Sequence, residues 1–207
     1  MRIAPQITAM LAAVTLAAGA AQAQDAAAGL DTVRRATRVC AACHGEGGRS
    51  ENPSIPSLAG QMRQYTIAQL RDFRSQIRAE PGLRGYMWGI SALLDDPTIN
   101  GLAEYFAEQT PAPAKPAKAK AVQEAGRRIF AEGIAQRGVR PCASCHGDRG
   151  EGTAGFPRLA GQHADYVNAQ LKVFRTWLRP HGVVMRAEIK SMTPAEMRAV
   201  ATYVQSL

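Results

Sequence analysis

The chain has 207 residues, a formal net charge of +8 at pH 7 and four cysteines. Only 6% of residues are aromatic, whereas there are 19 Gly and 12 Pro; this excludes one large aromatic-rich core and fits small helical units joined by irregular loops. The basic balance calls for anionic partners, but an export signal at the amino terminus excludes nucleic acid by compartment.

Met1-Arg2 gives a positive start, Ile7 to Ala21 is an apolar run, and Ala21-Gln22-Ala23 offers small residues for signal peptidase. Residues 1–23 therefore read as a secretory signal peptide, with the mature chain starting near Gln24. The rival reading is an uncleaved anchor; the short, Ala-rich stretch ending in a small-residue site favours cleavage. No later segment approaches a membrane span, so the mature protein is expected to be soluble in an extracytoplasmic space.

In chain order, a helix over Val33–Cys43 leads into Cys40-Ala41-Ala42-Cys43-His44. Tyr65–Ile77 carries apolar residues at three- and four-residue steps and is predicted helical. Asp96-Pro97 opens a further helix that closes the first unit. Residues 110–120, with three Pro and three Lys and no large apolar side chain, form an extended, solvated, semi-rigid linker. Ala121–Ala131 then leads towards Cys142-Ala143-Ser144-Cys145-His146, and Tyr166–Leu178 repeats the middle helix. The last helix starts at Thr193-Pro194-Ala195-Glu196, with an N-cap, a Pro at N1 and a Glu at N3. No stretch alternates as a strand. The fold is expected to be all-α.

The order of elements is a duplication. Cys43-His44-Gly45 recurs as Cys145-His146-Gly147; Leu58-Ala59-Gly60-Gln61 as Leu159-Ala160-Gly161-Gln162; Gln69-Leu70 and Phe73 as Gln170-Leu171 and Phe174; Tyr105 as Tyr203. The spacing between equivalents falls from 102 to 98 along the chain, most of the loss coming from a loop three residues shorter in the second copy. Two domains, 24–109 and 121–207, follow. Each is too small to bury a thick core alone, and such units usually hold a staple such as a metal or cofactor.

Four cysteines in an exported chain would ordinarily suggest two disulfides. Here they form two Cys-x-x-Cys-His motifs, the mark of covalent haem c attachment. On a helical turn, positions i, i+3 and i+4 share a face, so Cys40 and Cys43 offer thiols to the haem vinyl groups while His44 lies beneath the iron. Cys142, Cys145 and His146 do the same. A zinc site would need further ligands, and each domain has only two Cys and one adjacent His. A thioredoxin-like redox pair needs a strand-to-helix setting that is absent. Two haem c groups are the cofactors expected.

The sixth ligand should come from a loop after the middle helix. Met87 and Met185 coincide when the repeats are aligned across the shortened loop, which singles them out as iron ligands. Met62 aligns with His163, so neither type is shared; Met192 and Met197 belong to the final helix; His181 has no His partner in the first domain.

These residues resemble the cytochrome c4 family, diheme class I cytochromes c of the bacterial periplasm. The pattern is Cys-x-x-Cys-His-Gly, then Pro-x-Leu-Ala-Gly-Gln, Tyr, Gln-Leu and Phe, a ligand Met and a final helix with aromatic residues. Pro56 to Gln61 and Pro157 to Gln162 meet its second part, and the match covers nearly the whole mature chain. In the first domain Val33-Arg34-Arg35 replaces the usual aromatic of the first helix, and Tyr86-Met87-Trp88 is an unusual ligand loop. The resemblance implies two tandem class I cytochrome c domains, His44 and His146 as proximal ligands, and the carbonyls of Pro56 and Pro157 as acceptors of their Nδ1–H. It also implies haem edges facing across a pseudo-twofold interface.

Charge is uneven. The first domain has nine basic and ten acidic residues, the linker three Lys, and the second domain twelve basic and seven acidic residues. Acidic redox partners, or an anionic membrane surface, would be drawn to the second domain and linker. The leading function is electron carriage between membrane complexes, for example from a quinol-oxidising complex towards a terminal oxidase. The alternative is the diheme subunit of an enzyme complex such as a flavocytochrome c sulfide dehydrogenase, with a flavoprotein dehydrogenase as its partner. A third reading, an enzyme such as a peroxidase or thiosulfate dehydrogenase, needs an open haem position. Met in both domains argues against it, so neither catalysis nor a small-molecule substrate is expected.

Overall fold

The computed structural model describes residues 27–80, 82–115, 119–153 and 155–207; the signal expected over residues 1–23 lies outside them. Helix α1 runs over residues 27–44, so the first cysteine motif sits in the last turns of one continuous helix. It is followed by α2 (Arg63–Arg74), α3 (Tyr86–Ala92) and α4 (Asp96–Glu108). The second half contains α5 (Lys120–Glu132), α6 (Ala143–His146), α7 (Ala164–Phe174), α8 (Val183–Ile189) and α9 (Pro194–Gln205). Among the described residues there is no strand, only isolated bridges joining Ile134 to Val139 and Thr153 to Phe156. None of the described helices is long and apolar enough to cross a membrane.

Two boundaries differ from the sequence reading. Helices α2 and α7 stop at Arg74 and Phe174, short of Ile77 and Leu178. After α2 the chain turns at Gln76, whose φ of 57° is left-handed and incompatible with a further helical turn. Helix α4 opens at Asp96-Pro97 as read, with Asp95 as its cap, the carboxylate accepting from Thr98 N–H at 2.8 Å. The start of α9 is as read: Thr193 and Glu196 form a reciprocal capping box around Pro194. The second motif also does not continue its helix. Helix α5 ends at Glu132, and the Ile134–Val139 bridge returns the chain before the single turn of α6.

Each half is closed by its last helix. In α4, Ile99, Leu102 and Phe106 are buried, and in α9, Met197, Val200 and Val204; both sets recur at three- and four-residue steps and form one apolar stripe. Helix α4 packs on α2, and α9 packs on α5 and α7. Where the first and last helices cross, one backbone must come close, and the halves solve this in opposite ways. In the second half Gly126 of α5 lies against Ala199 of α9, where an added Cβ would be 2.1 Å from the Ala199 carbonyl oxygen. In the first half the glycine is Gly101 of α4, facing Val33 of α1. Gly101 aligns with Ala199, so the glycine has changed helix between the copies.

The linker is fastened rather than free along its described part. Pro111 packs over Gly60, and Lys115 N–H donates to the Gln205 carbonyl at 3.0 Å.

Candidate haem sites

The four cysteines are unbridged, which removes the disulfide reading. Cys40 and Cys142 are partly buried, and burial pushes each free thiol up to about 11. The two histidines are buried. His44 Nδ1 is 2.8 Å from the Pro56 carbonyl, and His146 Nδ1 is 2.9 Å from that of Pro157. A carbonyl can only accept, so Nδ1 carries the proton and Nε2 is left with its lone pair. Burial lowers the pKa of both imidazoles, a direction only partly offset by the carbonyl bond. Each is therefore a neutral, oriented ligand. Directly after each His comes a glycine with positive φ, 75° at Gly45 and 83° at Gly147. A side chain there would strike the Arg49 carbonyl in the first half and the Glu151 side chain in the second. This turn leads the chain off the motif helix towards the proline.

Met87 and Met185 do not lie in open loops, as the sequence suggested, but near the start of α3 and α8. Their equivalence holds in three dimensions, because both short helices follow the middle helix and pack against it. Met185, Cys142 and Leu159 rest against the second half's apolar core. The other candidates serve elsewhere. Met192 and Met197 are core residues, 3% and 1% exposed. His181 is exposed and paired with Asp72 at 2.8 Å. Met62 caps α2 and lies over Gly152, while His163 Nε2 reaches the Ser50 carbonyl at 2.8 Å. Ser50 and Gly152 are themselves equivalents, so Met62 and His163 are two versions of one contact between the halves.

That interface holds residues the sequence reading passed over as landmarks. Gln61 Oε1 accepts from Arg158 N–H at 2.8 Å and its amide donates to the Arg158 carbonyl at 3.1 Å. Gln162 makes the same pair with Ser57, at 3.0 and 2.9 Å. Deeper in, Arg78 donates to Gln69 and Gln170 at 2.9 and 3.0 Å, and Arg179 donates to the same two acceptors at 2.6 Å each. Tyr65 and Tyr166 stand beside the two guanidiniums. Glu80, wholly buried, takes a forked contact from Arg78 at 2.9 and 3.1 Å. Burial opposes the charge on Arg78, but its tyrosine and glutamate neighbours outweigh burial and raise its pKa, so it stays a cation. The recurrence of Gln61, Gln69 and Arg78 at one offset was the available signal.

This donor set fits haem c. The thiols are unbridged, the imidazoles present Nε2, and in the second half a thioether rests against the apolar core. Among the described residues no group of three or more His, Cys, Asp or Glu could hold a metal ion as zinc ligands would. An all-helical fold that repeats this turn, with its proline-hinged histidine, defines a c-type cytochrome with two haems.

Comparison with known proteins agrees. The family model for cytochrome c matches residues 33–87 and 123–207. Cytochrome c4 of Thiocapsa roseopersicina is 38% identical over 181 residues, covering 84% of this chain and 89% of that protein. The thiosulfate dehydrogenase electron acceptor of Stutzerimonas stutzeri is 36% identical over 174 residues, 81% of this chain and 78% of that protein. The crystal structure of reduced recombinant cytochrome c4 from Pseudomonas stutzeri superposes with a TM-score of 0.74 at 33% identity, covering 82% of this chain and 93% of that one. The chain belongs to the cytochrome c family, and within it to the diheme cytochromes c4. It is an electron carrier with two covalently bound haem c groups.

Proposed function

We propose that this protein is a freely diffusing periplasmic carrier in which both haem irons are closed by His and Met, and that it catalyses no reaction of its own. Residues 1–23 direct export and are removed, leaving domains 24–109 and 121–207 joined by the linker at 110–120. Cys40 and Cys43 tether one haem, and Cys142 and Cys145 the other. His44 with Met87, and His146 with Met185, would hold the irons, and the Pro56 and Pro157 carbonyls keep each imidazole in the ligating tautomer. When bound, the iron would supply one-electron chemistry, and these side chains would leave no position for another ligand. The observation that carries this reading is the repetition of the whole set: both histidines are hinged on a proline carbonyl and both methionines stand on equivalent short helices. The partners are redox proteins, a quinol-oxidising complex as donor and a terminal oxidase as acceptor. Similarity to a protein named as an electron acceptor of thiosulfate dehydrogenase favours a second donor class, a periplasmic dehydrogenase.

The test is ligand access. Purified holoprotein is expected to bind no carbon monoxide at neutral pH and to show the far-red sulfur-to-iron charge-transfer band when oxidised. Met185→Ala should open one iron, create carbon monoxide binding at one haem per chain and remove part of the band; Met87→Ala should do so at the other haem. Stoichiometric carbon monoxide binding by the native protein, or a band unchanged in Met185→Ala, would defeat the ligand assignment and return catalysis to consideration.

A further inference from the structure

Both halves place two cations one turn apart near the end of the middle helix: Arg71 and Arg74 of α2, and Lys172 of α7 with Arg175 at its end. In the first half both arginines close on one carboxylate, Asp96, at 2.8 and 2.7 Å, and Arg74 also donates to the Leu94 carbonyl at 2.8 Å. The second half keeps the scaffold and loses the acid. Arg175 reaches the carbonyl of Met192, the equivalent of Leu94, at 3.5 Å, but Pro194 stands in the place of Asp96. Among the described residues neither Lys172 nor Arg175 takes part in an ion pair. The acids nearest in sequence are engaged elsewhere. Glu196, in the first turn of α9, is bonded to Arg137 and to its own cap, and Glu188 of α8 is held by Arg140 at 2.6 Å.

The neighbouring surface extends the same sign. Arg186 of α8 lies over the Trp177 ring at 3.9 Å and donates to the Thr176 carbonyl at 2.9 Å, and Lys190 ends α8 one turn further on. Their equivalents in the first half are Trp88 and Ala92, neither of them charged. Lys172, Arg175, Arg186 and Lys190, none with a carboxylate partner among the described residues, thus line α7, α8 and their junction, where the Trp177 indole is 77% exposed. The first half instead sets Arg71 and Arg74 against Asp95 and Asp96. An exposed aromatic ring beside arginine is the composition of an interface anchor. Helix α8 also carries Met185, so a partner seated here lies beside the ligand helix of the second domain.

We propose that this face docks an acidic redox protein, a carboxylate of the partner seating between Lys172 and Arg175 in the place that Asp96 fills in the first half. The proposal rests on the carrier reading above and gives its partner a surface. A carboxylate shared by two cations gains charge-assisted hydrogen bonds, and Trp177 supplies the apolar contact that excludes water from them. The attraction speeds encounter and fixes register. The site's pattern in the first half, two cations on one side-chain carboxylate, favours a protein over an anionic membrane.

The experiment is stopped-flow oxidation of the reduced holoprotein by plastocyanin, an acidic blue-copper protein, at about 10 mM ionic strength, where the Debye length is about 30 Å. Pro194→Asp places the missing carboxylate in the chain itself, at a helix N1 position that welcomes an acid. It should lower the second-order rate constant about threefold, while Pro194→Asn, of the same shape but uncharged, should leave it unchanged. Arg175→Glu should lower it about fivefold, and Arg128→Glu, an equal change of charge on α5, should alter it little. At about 1 M salt, where the Debye length is about 3 Å, these differences should vanish. Equal rates for Pro194→Asp and Pro194→Asn, or equal losses in Arg175→Glu and Arg128→Glu, would overturn the proposal. So would an Arg175→Glu variant that no longer sediments with phosphatidylglycerol vesicles yet keeps its plastocyanin rate, which would assign the face to a membrane. Failure of the carrier reading is distinct: the unsubstituted protein would then bind carbon monoxide at neutral pH.

Discussion

The exchange of the crossing glycine between the two domains can be tested by undoing it. A Cβ at Gly126 would lie 2.1 Å from the Ala199 carbonyl oxygen, 2.7 Å from its carbon and 2.7 Å from Tyr203 Cβ. All three are backbone or backbone-proximal atoms of α9, so nothing can rotate away and the helices must part. Overpacking of this kind costs about 3 kcal/mol, at the upper end of its range, against a gain of about 1 kcal/mol for Ala over Gly inside a helix. Gly126→Ala should therefore destabilise the second domain by about 2 kcal/mol. Gly101→Ala meets something softer. Its Cβ would lie 2.4 Å from Val33 Cγ2, but 3.5 Å from Val33 Cβ and Cγ1, and a partly exposed valine can shift at a cost of about 1–2 kcal/mol. The helix gain offsets much of that, so the net loss should be about 1 kcal/mol or less. The double substitution Val33→Gly with Gly101→Ala recreates the second domain's arrangement, and its loss should fall short of the sum of the single losses by about 1–2 kcal/mol. Guanidinium unfolding of the holoprotein, followed by the fluorescence of Trp88 for the first domain and Trp177 for the second, measures each term. Additive losses in the cycle, or equal losses for Gly126→Ala and Gly101→Ala, would refute the claim that one close crossing has been built twice from opposite sides.

Two other perturbations test the interface and the cap. Gln162→Ala should cost more than Gln61→Ala, each within about 1–3 kcal/mol, because Gln162 pairs with the buried backbone of Ser57 while the Arg158 backbone lies beside a half-exposed side chain; limited proteolysis of residues 110–120 should follow the same order. Burial raises the pKa of Glu196, but its bonds to Arg137 and to the cap at Thr193 more than offset this and hold it below the usual carboxylate value. A folded pKa below the unfolded one stabilises above the unfolded value and is lost as pH falls through the folded one. Glu196→Gln should thus lower the second domain's stability at neutral pH and at pH 9, change little below the folded pKa, and so flatten the acid limb of its stability curve; an unchanged acid limb would contradict the assignment.

How much of this could be read in advance depends on whether a feature is contiguous in the chain. The haem-binding turn is legible because its chemistry needs Cys, Cys and His within five residues. The start of α9 is legible for the same reason, Thr193 and Glu196 being three apart. The proline hinge spans eleven or twelve residues and came only from resemblance. Repeat alignment singled out Met87 and Met185, but it could not say that they stand on short helices. What stayed hidden is the interface. A duplication says which residues are equivalent, and Gln61 and Gln69 were both found that way. It does not say that a residue will meet the backbone or side chain opposite its own copy, which is a property of the pseudo-twofold packing. The shift of the crossing glycine from α5 to α4 was hidden for a related reason, since Gly101 and Ala199 look like an ordinary small-residue substitution until the helices facing them are known.

The two domains differ in the charge of their surfaces. The second domain carries the surplus of basic residues, twelve against seven, while the first is nearly balanced. Most of those side chains are solvated, and their attraction for an acidic partner fades over about 8–10 Å at physiological salt. They bear on encounter rates, and added salt should weaken them. Raising the salt should therefore slow electron delivery to an acidic acceptor, and a rate that salt leaves unchanged would contradict a role for this surplus in encounter.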